Sequence, residues 1–211
     1  MKLFIHGFGH HAASWEKTIS CMTDKEDILC PELSALLGGR EASYENLYAS
    51  FVTYCCGVEG QLHLCGLSLG GILALNYALD YPRKVKTLVL IGTPYKIPKA
   101  AFGLQNLIFK LLPKSAFESM AFDKAGAFAL TSSLKNLDFS GSAGNVICPV
   151  LILCGRKDSA NRKSAQSFLR VMKNANLKLI ENAGHVVNEE NPQALAEILD
   201  EFYASPRSVS L

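Results

Sequence analysis

The sequence carries little charge, and the two signs nearly cancel. Lysine, arginine, aspartate and glutamate make up 19% of its 211 residues, and the formal net charge is +2. A nucleic-acid groove or a polybasic membrane surface needs a large excess of positive charge, so we expect no nucleic acid and no membrane among the partners. Partners must be recognised by shape and local chemistry.

Long apolar runs and paired cysteines are missing as well. The start, MKLFIHGFGH, has too few apolar residues for a signal peptide, and no segment reaches the roughly 18 uninterrupted apolar residues that span a bilayer. The seven cysteines are scattered, without a C-x-x-C pair. These absences predict a cytoplasmic protein with reduced thiols, no metal and no disulfide.

What the chain does have is a regular alternation of strand and helix patterns. Apolar residues make up 49% of the sequence, enough for a substantial core. Near-continuous apolar runs are typical of strands buried on both faces of a parallel sheet, and the alternation predicts an α/β fold. The predicted strands are KLFI (2–5), DILC (27–30), LHLC (62–65), VKTLVLI (85–91), PVLILC (149–154) and LKLI (177–180). The predicted helices are 43–56, 69–80, 162–173 and 192–203, with Asn191 as N-cap and Pro192 at the first position of the last one.

One interval interrupts this alternation. From Tyr95 to about Asn145 there is no strand-like run, only the helical stretches AFGLQNLIFKLL and KSAFESMAFDKAGAFALTSSL, separated by Pro113. This pattern indicates an insertion packed over one edge of the sheet. We therefore predict a core formed by residues 1–94 and 146–204, a helical lid over 95–145 and a frayed tail over 205–211.

The glycines around Ser68 indicate a special turn. A strand ends near Cys65, the letters G-L-S-L-G follow, and a helical pattern begins at once. A sharp strand-to-helix turn strains the serine backbone, and glycines relieve the crowding, so the hydroxyl is held out at the carboxyl edge of the sheet. The helix that follows points its N–H groups and positive dipole end at any oxyanion formed there. The alternative is a glycine-rich turn with an idle serine.

A nucleophilic serine needs a base and an acid that orients the base. His185 alone of the five histidines follows Ser68, and it lies in a loop just after the LKLI strand. Asp158 follows the PVLILC strand on the carboxyl side of the sheet and is the strongest candidate acid; the alternative is that it only caps a helix. The other acids considered are Glu181 as a fallback, Asp80 at the wrong end of the elbow helix, and Asp123 and Asp138 in the insertion.

Five motifs in order resemble the α/β-hydrolase superfamily over nearly the whole chain. They are HGFGHHAASW, GLSLGG, YPRKVKTLVLIGTP, CPVLILCGRKD and NAGHVVNEENP. The resemblance implies an α/β-hydrolase fold, with a mostly parallel sheet of about six strands. The chain starts at what would be the third strand of the family, so the expected order is 4-3-5-6-7-8, without the two usual N-terminal strands. The segment PELSALLGG departs from the family pattern.

The resemblance also implies roles for residues of the HGFGH loop. By analogy, the backbone N–H groups of Phe8 and Leu69 would form the oxyanion hole. His6 would bind the loop backbone, and His10 is a candidate for substrate contact, as is Tyr95 at the start of the insertion.

The sequences of these motifs most resemble those of small carboxylesterases, including the pimeloyl carrier-protein methyl ester esterase group. A related lyase of the menaquinone pathway often has arginine where this sequence has Ile72, which weakens the lyase interpretation. A haloalkane dehalogenase would need a carboxylate where Ser68 stands.

The insertion is basic. It has six lysines (96, 99, 110, 114, 124 and 135) against Glu118, Asp123 and Asp138. One interpretation is a solvated lid face, and the other is a docking surface for an acidic acyl carrier protein or an anionic substrate. Its phenylalanines, at 102, 109, 117, 122 and 128, favour an apolar acyl pocket.

Together these patterns predict a serine hydrolase that cleaves a small or medium carboxylic ester through an acyl-enzyme. Ser68 attacks, His185 carries the proton and Asp158 orients the imidazole, with no metal or organic cofactor. Two alternatives remain open. One is a thioesterase or menaquinone-pathway-type lyase with the same three residues, and the other is a non-catalytic ligand-binding protein of the same fold.

Overall fold

The computed structural model describes residues 1–97, 113 and 120–204. Its centre is a six-stranded sheet in the order β2-β1-β3-β4-β5-β6, and every neighbouring pair is parallel. The strands are β1 (Lys2–Ile5), β2 (Ile28–Leu29), β3 (Leu62–Leu67), β4 (Val85–Ile91), β5 (Val150–Gly155) and β6 (Ala175–Ile180). The strand order expected from the family resemblance, with β1 standing for the third strand, is confirmed.

The helices of the described residues lie between these strands in the chain, except for the last two, which follow β6. They are α1 (Glu16–Cys21), α2 (Leu33–Leu36), α3 (Tyr44–Cys56), α4 (Leu69–Asp80), α5 (Lys124–Ser133), α6 (Ser159–Val171), α7 (Val187–Glu190) and α8 (Pro192–Ala204). Short 3₁₀ turns occupy Ala12–Trp15, Leu134–Asn136 and Ala143–Asn145.

Helix starts follow local capping chemistry. Ser43 Oγ accepts a hydrogen bond from the Asn46 N–H at 3.2 Å, and Asn191 Oδ1 accepts one from the Ala194 N–H at 3.3 Å. Both are the positions at which the sequence predicts a start. The predicted start of α6 at residue 162 is wrong: the helix begins at Ser159, because the carboxylate of Asp158 caps it.

The central strands are mostly apolar because helices cover both faces of the sheet. Leu88 and Leu90 of β4 pack with α3, α4, α5 and α6, whereas Val89 and Ile91 pack with α1 and α8. Successive side chains of a strand point to opposite faces, so a strand covered on both sides shows no polar alternation. This burial fixes the sheet, and with it the positions at which β3, β5 and β6 end.

Part of the predicted lid is described. Helix α5 covers Lys124–Ser133, and Lys96 forms an isolated antiparallel bridge with Asp138. The stretch AFGLQNLIFKLL, residues 114–119 of the second stretch and the tail 205–211 lie outside the described residues. The boundaries 95–145 therefore stay a prediction. Within the described ranges, no helix is long and apolar enough to cross a membrane.

Candidate active site

Ser68 lies on a strained turn between β3 and α4. Its backbone angles are φ 53° and ψ −110°, a conformation that costs an L-residue on the order of 1 to 3 kcal/mol. The turn is held because the Ser68 N–H donates to the Ile91 carbonyl on the neighbouring strand at 2.8 Å. The serine side chain does not cap α4. Its hydroxyl is thus held at the carboxyl end of β3 and is not used to stabilise the helix.

The glycines of the turn are required by close packing. A Cβ atom on Gly66 would lie 2.3 Å from the Gly70 carbonyl, and one on Gly70 would lie 2.2 Å from the Ile5 carbonyl oxygen. Real Cβ atoms do not approach other heavy atoms so closely. The turn can therefore bring α4 against β1 and β3 only when these positions lack side chains.

Asp158 and His185 are in direct contact. His185 Nδ1 lies 2.8 Å from Asp158 Oδ2. Asp158 follows β5 and is buried, whereas the His185 side chain, in the loop between β6 and α7, is 40% exposed. An ionised carboxylate only accepts hydrogen bonds, so Nδ1 carries the proton in this pair and Nε2 of the neutral ring is left as a base.

Asp158 combines two functions that the sequence left as alternatives. One of its oxygens, Oδ1, accepts the Asn161 N–H at 3.2 Å and caps α6, while Oδ2 binds His185. Burial by itself raises the pKa of the Asp158 carboxyl, but the hydrogen bonds from His185 and Asn161 outweigh burial. The pKa lies below its usual value, so the carboxylate is ionised at neutral pH.

The pair and the serine meet at one edge of the sheet. A Cβ on Gly92 would lie 3.0 Å from the imidazole of His185 and 3.4 Å from Asp158 Oδ2. Gly92 directly follows Ile91, whose carbonyl holds the Ser68 N–H. Ser68 and the Asp158–His185 pair therefore flank the end of β4. Across the part of the chain that the structure describes, no hydrogen bond joins Ser68 Oγ to the imidazole.

The HGFGH loop packs against the serine. A Cβ on Gly7 would lie 3.5 Å from Ser68 Cβ. Gly9 has a φ of +78°, which favours glycine, and the ring of Phe8 stacks on Phe122 with 6.1 Å between centroids. Leu69 is the first residue of α4, and the first N–H groups of a helix have no partner within it. The prediction that the N–H groups of Phe8 and Leu69 form an oxyanion hole is consistent with these positions and stays a prediction.

The two candidate substrate contacts differ in their surroundings. His10 lies beside Gly7, with its Cδ2 3.6 Å from the position of a Cβ on that glycine, and its Nδ1 is 3.4 Å from Glu189 Oε1. Tyr95 packs its ring against Phe168 at 4.9 Å, and its hydroxyl donates to the Ser140 carbonyl. Both assignments stay predictions.

His6 binds the loop backbone, as the sequence indicated. Its Nδ1 donates to the Gly7 carbonyl at 2.9 Å, and its Nε2 accepts the Leu33 N–H at 3.1 Å. Burial lowers the pKa of His6, although the Gly7 carbonyl opposes this effect. The ring is therefore neutral, and its 3.2 Å approach to Glu32 is not an ion pair.

The other acids considered from the sequence are bound elsewhere. None of them contacts His185 in the described residues. Glu181 pairs with Arg156 at 2.5 Å, Asp80 accepts from the Tyr48 hydroxyl, Asp123 caps α5, and Asp138 pairs with Lys96 at 2.6 Å.

Two residues of the site were missed by the sequence analysis. The Asn161 side-chain amide lies within 3.0 Å of both oxygens of Asp158. Glu190 accepts the backbone N–H groups of Gly184 at 2.8 Å and Val186 at 3.0 Å, and so fixes the loop on both sides of His185. The spacing of Asn161 from the capping residue was a usable signal, whereas nothing in the letters singled out Glu190 from its neighbour Glu189.

Comparison with known proteins identifies the family. The family model described as the alpha/beta hydrolase family matches residues 3–198. The chain therefore belongs to the alpha/beta hydrolase family, and the enzyme class expected from the motifs, an α/β-fold hydrolase, is confirmed at this level.

Named relatives are distant but span nearly the whole chain. Bovine (Bos taurus) monoacylglycerol lipase ABHD6 is 22% identical over 262 residues, which cover 98% of this chain and 76% of that protein. The pimeloyl-[acyl-carrier protein] methyl ester esterase of Nitrosomonas europaea is 22% identical over 235 residues, which cover 94% and 93%.

Solved structures agree on the fold. A thermophilic esterase from Thermogutta terrifontis superimposes with a TM-score of 0.81 at 19% identity and covers 98% of this chain and 90% of that one. MenH from S. aureus gives a TM-score of 0.79 at 17% identity, with 98% and 94% covered. At these identities the similarity establishes the α/β-hydrolase fold alone.

Proposed function

We propose that the protein is a serine hydrolase that cleaves a small or medium carboxylic ester through an acyl-enzyme intermediate. The observation that carries the proposal is the 2.8 Å contact between Asp158 and His185 at the edge of the sheet where Ser68 is held on its strained turn. A buried, ionised carboxylate bound to Nδ1 keeps Nε2 free to accept a proton, which is the state that a general base needs.

The reaction follows from these groups. Ser68 Oγ attacks the ester carbonyl while His185 Nε2 takes its proton, and the developing oxyanion is held by the N–H groups of Phe8 and Leu69. His185 then returns the proton to the leaving alcohol, and the acyl group stays on Ser68. Water, activated by the same imidazole, releases the acid. Asp158 stabilises the imidazolium in both halves, and the chemistry uses no metal or organic cofactor.

A fluorophosphonate probe tests the nucleophile. The native protein should be labelled, because the probe reacts with serine hydroxyls that a neighbouring base activates. Ser68→Ala should abolish labelling, and Ser167→Ala on α6 serves as the matched control that keeps it. Labelling of Ser68→Ala at the native rate would overturn the assignment.

The substrate class is supported by the names of the relatives, one a monoacylglycerol lipase and one a methyl ester esterase. The ring of Phe122, stacked on Phe8, adds apolar surface beside the loop that packs on Ser68.

We expect hydrolysis of p-nitrophenyl esters, with an optimum in an acyl-length series at fixed leaving group. The same panel with acyl thioesters and the menaquinone-pathway intermediate separates esterase, thioesterase and lyase activity. Ligand-induced stabilisation without turnover would indicate a non-catalytic binding protein.

The proposal includes an acidic acyl carrier protein as a candidate partner. In the described residues Lys96 is paired with Asp138, whereas Lys135 is exposed; Lys99, Lys110 and Lys114 lie outside them. If a carrier docks on this segment, kcat/KM for a carrier-bound ester should fall as salt rises, whereas kcat/KM for the free ester should not. Equal salt dependence of the two substrates would contradict docking.

A further inference from the structure

The Asn161 side chain contacts both residues of the Asp158–His185 pair. Its Nδ2 lies 3.0 Å from Asp158 Oδ1, 2.9 Å from Asp158 Oδ2 and 3.2 Å from His185 Nδ1. Its backbone N–H also donates to Oδ1 at 3.2 Å. The residue is half-buried in the first turn of α6, so its side chain is fixed by the helix.

The orientation of the amide follows from its neighbours. Turning it would place its oxygen against both oxygens of an ionised carboxylate, so Nδ2 must face Asp158. Since the Nδ1 proton of His185 already points to Oδ2, the 3.2 Å approach of Nδ2 to Nδ1 joins two donors and is not a hydrogen bond. The amide protons therefore go to the carboxylate, and a partial positive charge lies beside the imidazole.

We propose that Asn161 is a positioning residue that holds the Asp158 carboxylate against His185 and limits how strongly that carboxylate favours the protonated ring. The inference rests on the proposed function of the pair. The side-chain NH₂ group spreads the negative charge of the carboxylate over additional hydrogen bonds, so less of it acts on Nδ1. The same contacts hold both oxygens of the carboxylate in place beside the imidazole.

The sign of the expected change follows. Without the amide, the carboxylate is more basic and stabilises imidazolium more, so the acidic limb of the activity profile moves to higher pH. The charged groups on the loops and helix that carry the pair are unchanged by the substitution. They are Glu190, which binds the loop of His185, Glu189 with its partner His10, Arg162 next to Asn161 on α6, and the Arg156–Glu181 pair after β5 and β6.

Asn161→Leu removes the amide at similar size and keeps the backbone cap to Asp158. We expect kcat for a p-nitrophenyl ester to fall about tenfold at neutral pH, the effect of losing hydrogen bonds to a charged group, with KM unchanged. The acidic limb should move up by about half a pH unit, less than the shift caused by a full neighbouring charge. Gln166→Leu, an exposed amide on the same helix, is the matched control and should behave as the native protein. Asn161→Ala, a better helix former, should give the same shift if the leucine variant folds poorly.

A second measurement is independent of turnover. The Cε1 proton of His185, assigned by its loss in His185→Gln, is titrated by NMR in the native protein and in both Asn161 variants. An upward shift of its titration in the variants supports the proposal even if no ester is cleaved. Superimposable titrations and pH profiles for native, Asn161 and Gln166 proteins would overturn it, whereas absence of fluorophosphonate labelling in the native protein would overturn only the proposed function.

Discussion

One half-buried histidine lies at each end of the parallel strands, and the two rings have different hydrogen-bond partners. At the carboxyl ends, His185 binds a buried carboxylate beside the turn of Ser68. At the amino ends, His63 on β3 binds the Thr87 hydroxyl at 2.8 Å, and burial, with Lys86 nearby, lowers its pKa to about 4. These two rings therefore differ in their partners: the one at the carboxyl ends has a carboxylate, and the one at the amino ends has a hydroxyl.

The difference between the edges has a structural cause. Helices α4 and α6 begin at the carboxyl ends of β3 and β5, so their free N–H groups and positive dipole ends point to that edge. Asp158 caps α6 there, and the first N–H groups of α4 are the predicted donors to an oxyanion. The amino ends of the strands receive the preceding loops, and a cavity lined by basic, aromatic and acidic side chains, His63 and Asp27 among them, opens at this edge. Within the described residues His63 binds the Thr87 hydroxyl and forms no ion pair with these carboxylates.

Exchanging each histidine for glutamine tests this comparison most strongly. His185→Gln should lower kcat for ester hydrolysis by about 10⁶-fold, because the base is lost and serine hydroxyls are weak nucleophiles without one. His63→Gln should stay within about twofold of the native rate. Steady-state assays on one p-nitrophenyl ester measure both. Comparable losses in the two variants would show that the edges are not functionally distinct.

The acid gives the next largest effect. Asp158→Asn should lower kcat by about 10⁴-fold, because an amide does not select the tautomer with the proton on Nδ1. Asp123, which caps α5, provides a matched control, since Asp123→Asn keeps a capping side chain and its carboxylate does not bind the imidazole in the described residues. The same assay should give native rates for Asp123→Asn. A mild effect of Asp158→Asn would mean that Asp158 serves chiefly as a helix cap.

Backbone packing at the turn of Ser68 can be tested through stability. Alanine is favoured over glycine inside a helix by about 1 kcal/mol, yet Gly70→Ala should lower the free energy of unfolding by about 3 kcal/mol or more. Its Cβ would meet the Ile5 carbonyl oxygen at 2.2 Å. Gly141→Ala, with open space around it, should change stability by no more than about 0.5 kcal/mol. Urea unfolding measures the free energy of unfolding of both variants. Equal values for Gly70→Ala and Gly141→Ala would contradict the close approach of α4 to β1.

The smallest effect concerns His63 and acid stability. The unfolded ring is protonated below a pKa of about 6.5, whereas the folded ring stays neutral down to a pKa of about 4. Protonation therefore favours the unfolded chain in this window, and stability is lost as the pH falls from about 6.5 to about 4. His63→Gln should reduce the drop in Tm between neutral pH and about pH 5. An unchanged drop would show that the ring titrates normally when folded.

Local patterns predicted much of the molecule. The apolar runs located the strands, and the runs around β3 and β4 were apolar because both faces of the sheet are covered. The glycines at 66 and 70 predicted the turn of Ser68, because a tight turn leaves no room for a Cβ at these positions. The predicted start of α6 was three residues too late, because the cap on Asp158 was treated as an alternative to its role as the acid, whereas the residue serves as a cap and binds His185.

The partners of the polar groups came from the tertiary structure. His185 is 27 residues from Asp158 in the chain, and Glu181, much closer in sequence, pairs with Arg156 instead. Which acid meets which base depends on the register of β5 and β6, and hence on the burial of both strands. The contacts of the Asn161 amide with both oxygens of Asp158 likewise became visible only in the folded structure.

The order of strands and helices, the strained serine turn and the candidate acids for His185 could be predicted from the letters, because they follow from hydrophobic periodicity and local sterics. The folded structure was needed to separate Asp158 from Glu181 as the partner of His185, to give His63 a hydroxyl partner, and to place Asn161 and Glu190 around the pair. Side-chain hydrogen bonds join residues that are distant in the chain, so their partners exist only after the parallel sheet has brought the ends of its strands to a common edge.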